Sequence, residues 1–184
     1  MRHLALPLLA LLALPACSTV DNTGGPPPEG SALAFEVLDA PDGFWCQAVI
    51  DDAALITDEA SIDALIDACE VDVDGVQTQA RQDLLDALNG GDPGDVLVYA
   101  EGSAGGCIGQ AWIEDVTLDG DVLRPWMLKE DSSYGRYDVA CTADFGLSTH
   151  LVRVSGAEEA TSAELHLGIF NPELPGAPSA PSTL

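Results

Sequence analysis

The sequence predicts an α+β domain in which a mainly antiparallel β-sheet is packed against two helices that come early in the chain. Three observations support this fold class. Two segments with helical periodicity lie within residues 57–91, six strand-like segments follow within residues 95–170, and short turns join several of these segments. Helices grouped ahead of a run of strands are typical of α+β domains.

The N-terminus has the composition of a secretory signal peptide, which we predict over residues 1–16. Arg2 gives it a positive start, and its apolar stretch, residues 4–14, is too short to span a bilayer as a mature helix. Its end, LPAC, resembles the bacterial lipobox, whose cysteine is acylated at the cleavage site. The resemblance implies a lipoprotein anchored through Cys17, and Ser18 in the next position favours the outer membrane of the cell envelope. The alternative is an ordinary signal peptide with a chance cysteine.

Two segments outside the predicted domain are rich in Gly, Pro and small polar residues. Residues 17–31 begin with the lipidated Cys17 and continue as a flexible tether, and residues 171–184 form a Pro-rich tail that we expect to be disordered. Residues 32–170 lie between them. That length suffices for one core and is short for two, so the sequence predicts a single domain.

The first half of the domain is predicted to contain two strands and two helices. Residues 35–38 and 44–50 are predicted strands separated by the turn DAPDG. Either Thr57 or Asp58 caps the first helix, and its apolar face consists of Ile62, Leu65, Ile66 and Cys69. The second helix covers residues 79–88, with Leu84, Leu85 and Leu88 facing inward, and stops at the NGG of residues 89–91.

The second half is predicted to consist of strands. Residues 95–101 form the first of them, and residues 110–118 and 122–129 form a hairpin around Asp119, Gly120 and Asp121. Residues 137–144, 149–154 and 162–170 complete the antiparallel set.

The acidic composition excludes two classes of partner. The chain has 31 acidic and 6 basic residues and a formal net charge of −25. Nucleic acids and anionic membrane surfaces are bound by Lys and Arg, so we expect neither, and contact with a membrane is expected only through the anchor at Cys17. The acidity fits a solvated surface, diffuse cation binding or an acidic face for a basic partner.

Four cysteines remain once Cys17 is acylated, and an even number in an exported domain predicts two disulfides. Proximity in the sequence favours Cys46 with Cys69 and Cys107 with Cys141 among the three possible connectivities. No Cys-x-x-Cys pair occurs and no histidine lies nearby, which argues against zinc binding and thiol redox chemistry.

The stretch YAEGSAGGCIG, residues 99–109, permits three interpretations. A phosphate loop would need a Lys and a following helix, and the sequence has neither. A nucleophile elbow would need a Gly at the position of Glu101, although a triad of Ser103, His150 and Asp144 is conceivable. The third interpretation is a glycine turn that is held by a disulfide at Cys107. It agrees best with the strand predicted over residues 110–118.

Two other patterns suggest binding without specifying it. The EVDVDG of residues 70–75 imitates the start of an EF-hand loop, but Arg81 occupies the position of its bidentate Glu. We therefore assign no metal site. Trp45, Trp112 and Trp126 could line a carbohydrate or peptide groove, but single tryptophans in strands more often pack in the core.

Two segments, ALITDEASIDALI and GDVLVYAEGSAGGCIGQAWIEDVTLDGDVL, resemble the PrcB-like C-terminal domain of bacterial protease-complex subunits, within residues 56–129. In that family a capped helix is followed by an acid-ended strand, a Gly-Gly turn and a hairpin. The turn usually contains Thr-Gly-Gly-Tyr, where this chain has Ala-Gly-Gly-Cys at residues 104–107. The resemblance implies a non-catalytic lipoprotein that binds or stabilises an extracytoplasmic protein partner.

The function predicted from these observations is that of a non-enzymatic cell-envelope lipoprotein, an interaction or stabilising module without a cofactor, a metal or catalytic residues. Two alternatives remain open. One is a serine-type hydrolase that uses Ser103 and His150, and the other is a weak binder of divalent cations such as calcium.

Overall fold

The computed structural model describes residues 27–69, 75–106, 108–131 and 142–170. For residues 104–106, 108–110, 131 and 142–145 it describes the backbone only. These residues form two helices and two β-sheets, which confirms the predicted α+β class. The strands are β1 Ser31–Ala32, β2 Phe35–Leu38, β3 Asp52–Ile56, β4 Val96–Gly106, β5 Ile108–Asp119, β6 Val122–Asp131, β7 Thr142–Val154, β8 Ser162–Ala163 and β9 His166–Phe170. The helices are α1 Glu59–Ala68 and α2 Val76–Asn89, and a 3-10 turn covers Gln47–Val49.

The strands are divided between two sheets. The first sheet has the order β2-β7-β4-β3 and is antiparallel throughout, and the second has the order β1-β5-β6, with β8 and β9 both on the far side of β6. β8 and β9 run parallel to β6. The expectation that residues 162–170 form one further antiparallel strand is therefore wrong, because their pairing is set by a distant strand and not by a hairpin turn.

Strand β4 lies at the centre of the molecule and contributes to two cores. Leu97 and Tyr99 point to the helices, where they pack in a cluster with the apolar faces of α1 and α2. Val96 and Val98 point the other way and pack against side chains of the second sheet, such as Met127. Successive side chains of a strand alternate between faces, so one strand can bury both. The result is a three-layer arrangement of helices, first sheet and second sheet.

Helix α1 confirms the predicted cap and apolar face. Asp58 is the N-cap, its carboxylate accepts the amide of Ser61 at 2.8 Å, and the Ser61 hydroxyl accepts the amide of Asp58 at 3.1 Å. This reciprocal pair satisfies two amides that would otherwise lack partners. Ile62, Leu65 and Ile66 are buried as expected.

Helix α2 starts three residues earlier than predicted and ends at Asn89, where the NGG signal predicted a stop. Gly75 is its N-cap with φ of 91°, a conformation that favours glycine. Leu84 is buried, whereas Leu85 and Leu88 are partly buried against the same core. Neither helix of the described residues combines the length and the apolar composition that a membrane crossing needs.

The strand predicted over residues 44–50 is wrong. Phe44 and Cys46 are buried and Trp45 is exposed, as in a strand, but a 3-10 turn follows and no neighbouring strand is paired along this segment beyond an isolated bridge at Ile50. Asp51, with φ of 59°, redirects the chain into β3, which the sequence did not predict. The buried apolar residues of segment 44–50 pack against the core beneath the helices and do not extend a sheet.

Candidate functional site

The glycine-rich stretch is part of a strand and not of a turn, which corrects the expectation for residues 102–106. β4 continues to Gly106 and pairs with β7 over its whole length, apart from an irregularity after Ala104. A Cβ on Gly102 would lie 2.5 Å from Sδ of Met127 and 3.1 Å from Cε of Lys129. Glycine here permits a close approach of the second sheet, which is a different use from the backbone freedom that a turn requires.

The helix-facing side of β4 has a row of polar side chains. Tyr99, Glu101 and Ser103 alternate along the strand and so share one face. Tyr99 and Glu101 are both 0% exposed. The period-two pattern could have placed Glu101 beside a buried Tyr99, but the expectation of a turn after Glu101 obscured that signal.

Glu101 is a buried carboxyl group with one hydrogen-bond partner. Its Oε2 accepts the backbone amide of Cys46 at 2.8 Å, and its buried Oε1 has no partner among the described residues. Burial raises the pKa of Glu101 because it disfavours the charged form, and the Cys46 amide offsets part of this effect.

The Tyr99 hydroxyl is the second buried polar group of this row. Burial raises its pKa, the neighbouring Glu101 adds to the shift, and a polar contact with the Thr149 side chain offsets part of it. No hydrogen bond of ordinary geometry joins this hydroxyl to any described residue. The Tyr99 ring contacts Phe44 edge-on, with centroids 5.4 Å apart.

Ser103 belongs to a network at the edge of β4, just beyond the end of β3. Asp51 accepts the Ser103 amide at 2.7 Å and the Ser103 hydroxyl at 2.6 Å. Lys129 reaches over from the second sheet, donates to the Ser103 carbonyl, and lies 3.3 Å from the Asp51 carboxylate. Partial burial raises the pKa of Asp51, but the bonds from Ser103 and the charge of Lys129 outweigh it, so the pKa lies below its ordinary value.

The structure does not bring the two main members of the conceivable triad together. His150 is paired with Ala100, which faces the second sheet, whereas Ser103 is three residues further along β4 and faces the other way. The Ser103 hydroxyl is bound to Asp51, and the buried Nε2 of His150 has no partner among the described residues. Burial lowers the pKa of His150. The Asp144 side chain lies outside the described part.

The disulfide predicted between Cys46 and Cys69 is present. It joins the segment before the 3-10 turn to the end of α1, with Cα atoms 4.6 Å apart, and both cysteines are buried in the core beneath the helices. The predicted pair Cys107 and Cys141 and the predicted anchor Cys17 lie outside the described residues, as do residues 17–26 of the tether and the whole tail. The last residues of the predicted tether are described, and Ser31 pairs with Leu118 as part of β1.

The structure does not describe most of the segment that resembles an EF-hand loop. Residues 70–74 lie outside the described ranges, and Gly75 begins α2. Arg81, on that helix, donates to Glu59 and Asp63 of α1 and so joins the two helices. Among the described residues, no group of three His, Cys, Asp or Glu side chains could hold a metal ion.

The three tryptophans do not line a common groove. Trp45 lies beside the helical layer and is 40% exposed. Trp112 and Trp126 lie on the outer face of the second sheet, where Trp112 contacts Phe170 at a centroid distance of 5.2 Å and donates to Glu114 at 2.8 Å.

The outer edge of β2 has backbone groups that no described strand pairs. The Ser155 amide donates to the Ala34 carbonyl at 3.0 Å, and hydrogen-bonded pairs alternate along an antiparallel ladder. The amides and carbonyls of Phe35 and Val37 therefore point away from β7, toward the edge. The Val37 side chain is 48% exposed, the largest exposure among the large apolar residues that the structure describes.

Two clefts lie between this edge and α2. The first, of about 290 Å³, is bounded by the start of β2 and by residues 90–92 after α2, and the second, of about 350 Å³, by residues 39–42 and Asp83. Arg153 spans the first, donating to Glu36 at 2.9 Å and to the Ala87 carbonyl at 2.7 Å. It thus fixes the edge strand to the C-terminal end of α2, where a cation is favoured.

Comparison with known proteins returned nothing: no protein-family model, curated protein or solved structure matches this chain.

Proposed function

We propose that the chain is a lipid-anchored protein of the bacterial cell envelope whose domain binds an extracytoplasmic protein partner along the edge of β2. The observation that supports this role is the row of outward backbone groups at Phe35 and Val37 next to an exposed apolar side chain. The signal peptide, the LPAC motif and the tether support the anchor.

The mode of binding that this edge favours is the addition of a strand from the partner. A partner strand would pair with the amides and carbonyls of Phe35 and Val37, and backbone hydrogen bonds would supply much of the affinity. Edges that are not used are commonly protected by charge and by short length. β2 has only four residues, so we expect a partner of moderate affinity. The net charge of −25 favours basic side chains on that partner.

A hydrolase receives no support from the geometry, since Ser103 and His150 face opposite sides of the sheet. The Ser103 hydroxyl instead donates to the Asp51 carboxylate at 2.6 Å.

Site-specific photocrosslinking in the native envelope tests the binding surface. A photoreactive residue at position 37 should form an adduct with one protein, and the same probe at the exposed Glu159 should not. Sequencing of the adduct should locate the contact in an extended segment of that protein. Equal labelling from both positions would contradict the proposal.

Fatty-acid labelling and cell fractionation test the anchor separately. Wild-type protein should sediment with membranes and incorporate labelled fatty acid, whereas Cys17→Ser should incorporate none. Thr19→Ala is the matched control, because it changes a neighbouring position and keeps the cysteine that is acylated. A Cys17→Ser protein that still incorporates fatty acid would refute the anchor at Cys17 and leave the binding surface untouched.

A further inference from the structure

Glu101 is completely buried beneath the segment of residues 41–51. One carboxyl oxygen accepts only the Cys46 amide, at 2.8 Å, and the other has no partner among the described residues. A neutral carboxyl group tolerates such surroundings much better than a carboxylate, whose burial needs a cation or several donors.

No described cation compensates Glu101. Lys129 is the basic residue of the second sheet that reaches this edge, and its ammonium is bound to Asp51 and to the Ser103 carbonyl. Asp52, opposite Glu101 in the pairing with β3, is a further acid.

The remaining groups around Glu101 are neutral. On its own strand Tyr99 is a neutral phenol, and on β7 the opposing residue is Thr149. Cys46 is in a disulfide and does not titrate. The faces that α1 and α2 turn to this core are apolar, with Ile62 and Leu84 among their buried residues.

Glu101 also fastens the segment that covers it. Its side chain accepts the Cys46 amide, its backbone carbonyl accepts the Asp51 amide at 2.7 Å, and Phe44 packs on the adjacent Tyr99 ring. The disulfide ties Cys46 to the end of α1. The segment is therefore held covalently at one point and by Glu101 on both sides of the 3-10 turn.

We propose that Glu101 is a proton-operated clasp: its neutral form holds residues 41–51 closed on the core, and its ionised form releases them while the disulfide keeps Cys46 attached. Ionisation would place an uncompensated charge under the segment, and opening would admit water to it. Residues 39–42 line the second cleft beside β2. Release would therefore alter one wall of that cleft.

Amide hydrogen exchange across a pH series tests the clasp, with rates corrected for intrinsic exchange. In the wild type, protection of the Cys46 and Val49 amides should fall about tenfold per pH unit from the ordinary value of 4.5 up to the raised pKa of the closed form, and it should level off above that pKa. Between these two values the open form is ionised while the closed form is still neutral. Glu101→Gln, which stays neutral and can still accept the Cys46 amide, should show constant protection. Glu159→Gln is the matched control and should behave like the wild type. The Val98 amide in β4 should stay protected throughout.

Protection of Cys46 that does not change with pH in the wild type, or that falls equally in Glu101→Gln, would overturn the proposal. If Glu101→Gln does not fold, the carboxyl ¹³C shift of Glu101 in the wild type provides the second measurement. A titration midpoint above the ordinary value of 4.5 is expected. A midpoint at or below that value would also overturn the clasp.

Discussion

At the scale of single residues, Lys129 protects a part of β4 that β3 does not reach. Its side chain is 8% exposed, and its ammonium binds the Ser103 carbonyl and the Asp51 carboxylate. Asp51 in turn accepts both donors of Ser103. The three residues satisfy polar groups at an edge that would otherwise be open to another strand.

Removal of the ammonium should therefore weaken the fold. Lys129→Met keeps most of the apolar stem but leaves the Ser103 carbonyl and Asp51 without this donor, and we expect a loss of about 1–3 kcal/mol in the free energy of unfolding. Urea denaturation measures it. Arg124→Met is the control, since it breaks ion pairs with the exposed Asp119 and Glu164 and should change stability less. Equal losses would show that the network at Ser103 has no special role.

Gly102 is the second residue whose replacement should be costly. A methyl group there would meet Met127, which is fully buried, so Gly102→Ala should destabilise the domain by about 1–3 kcal/mol through overpacking. A double-mutant cycle with Met127→Val identifies the cause, because Gly102→Ala should destabilise the domain less when the side chain at position 127 is shorter. Strict additivity in the cycle would contradict a contact between the two positions.

At the scale of elements, β2 offers a direct check on which backbone groups face its free edge. Val37→Pro removes an amide that points outward and should cost about 1 kcal/mol or less, whereas Glu36→Pro removes an amide bonded to β7 and should cost about 3 kcal/mol or more. Glu36→Ala separates the side-chain contribution from that of the amide. Thermal unfolding compares the three variants. A larger loss for Val37→Pro than for Glu36→Pro would reverse the assigned orientation of the strand.

The elements that the sequence predicted well are those determined by neighbours in the chain. Helix α1 has its cap and its apolar face within a dozen residues, and the β5–β6 hairpin is built around Gly120, with φ of 64°. In both, the residues that specify the conformation also make the contacts. Local patterns are then sufficient.

The errors occurred where distant contacts determine the conformation. Residues 102–106 have turn composition, yet pairing with β7 and the close approach of Met127 keep them extended. Residues 44–50 have strand composition, yet Cys46 is held to α1 and to Glu101. The free edge of β2 was likewise beyond sequence inference, since it depends on the pairing of strands far apart in the chain. For the polar row on β4, the alternation of Tyr99 and Glu101 was readable, but the continuation of the strand to Ser103 was not.

At the scale of the whole molecule, the Cys46–Cys69 disulfide joins the covering segment to the helical layer. It closes a loop with a sequence separation of 23, for which loop-closure entropy suggests a contribution of about 3 kcal/mol. We expect the double variant Cys46→Ala, Cys69→Ala to lose about that much in chemical denaturation. Reduction of the wild type under native conditions should be slow, because both sulfurs are buried. A loss well under 1 kcal/mol would show that packing alone holds the segment.

The central position of β4 also affects the order in which the fold can be completed during synthesis. β4 ends at Gly106, whereas its main partner β7 ends at Val154 and β9 at Phe170. β3, α1 and α2 precede β4 in the chain and can cover one edge and the helix-facing side of β4 as it emerges, but its other edge and its other face wait for strands that are made later. In that interval the face with Val96 and Val98 is open to other chains, and the glycines from Gly102 onward interrupt the stretch that could aggregate.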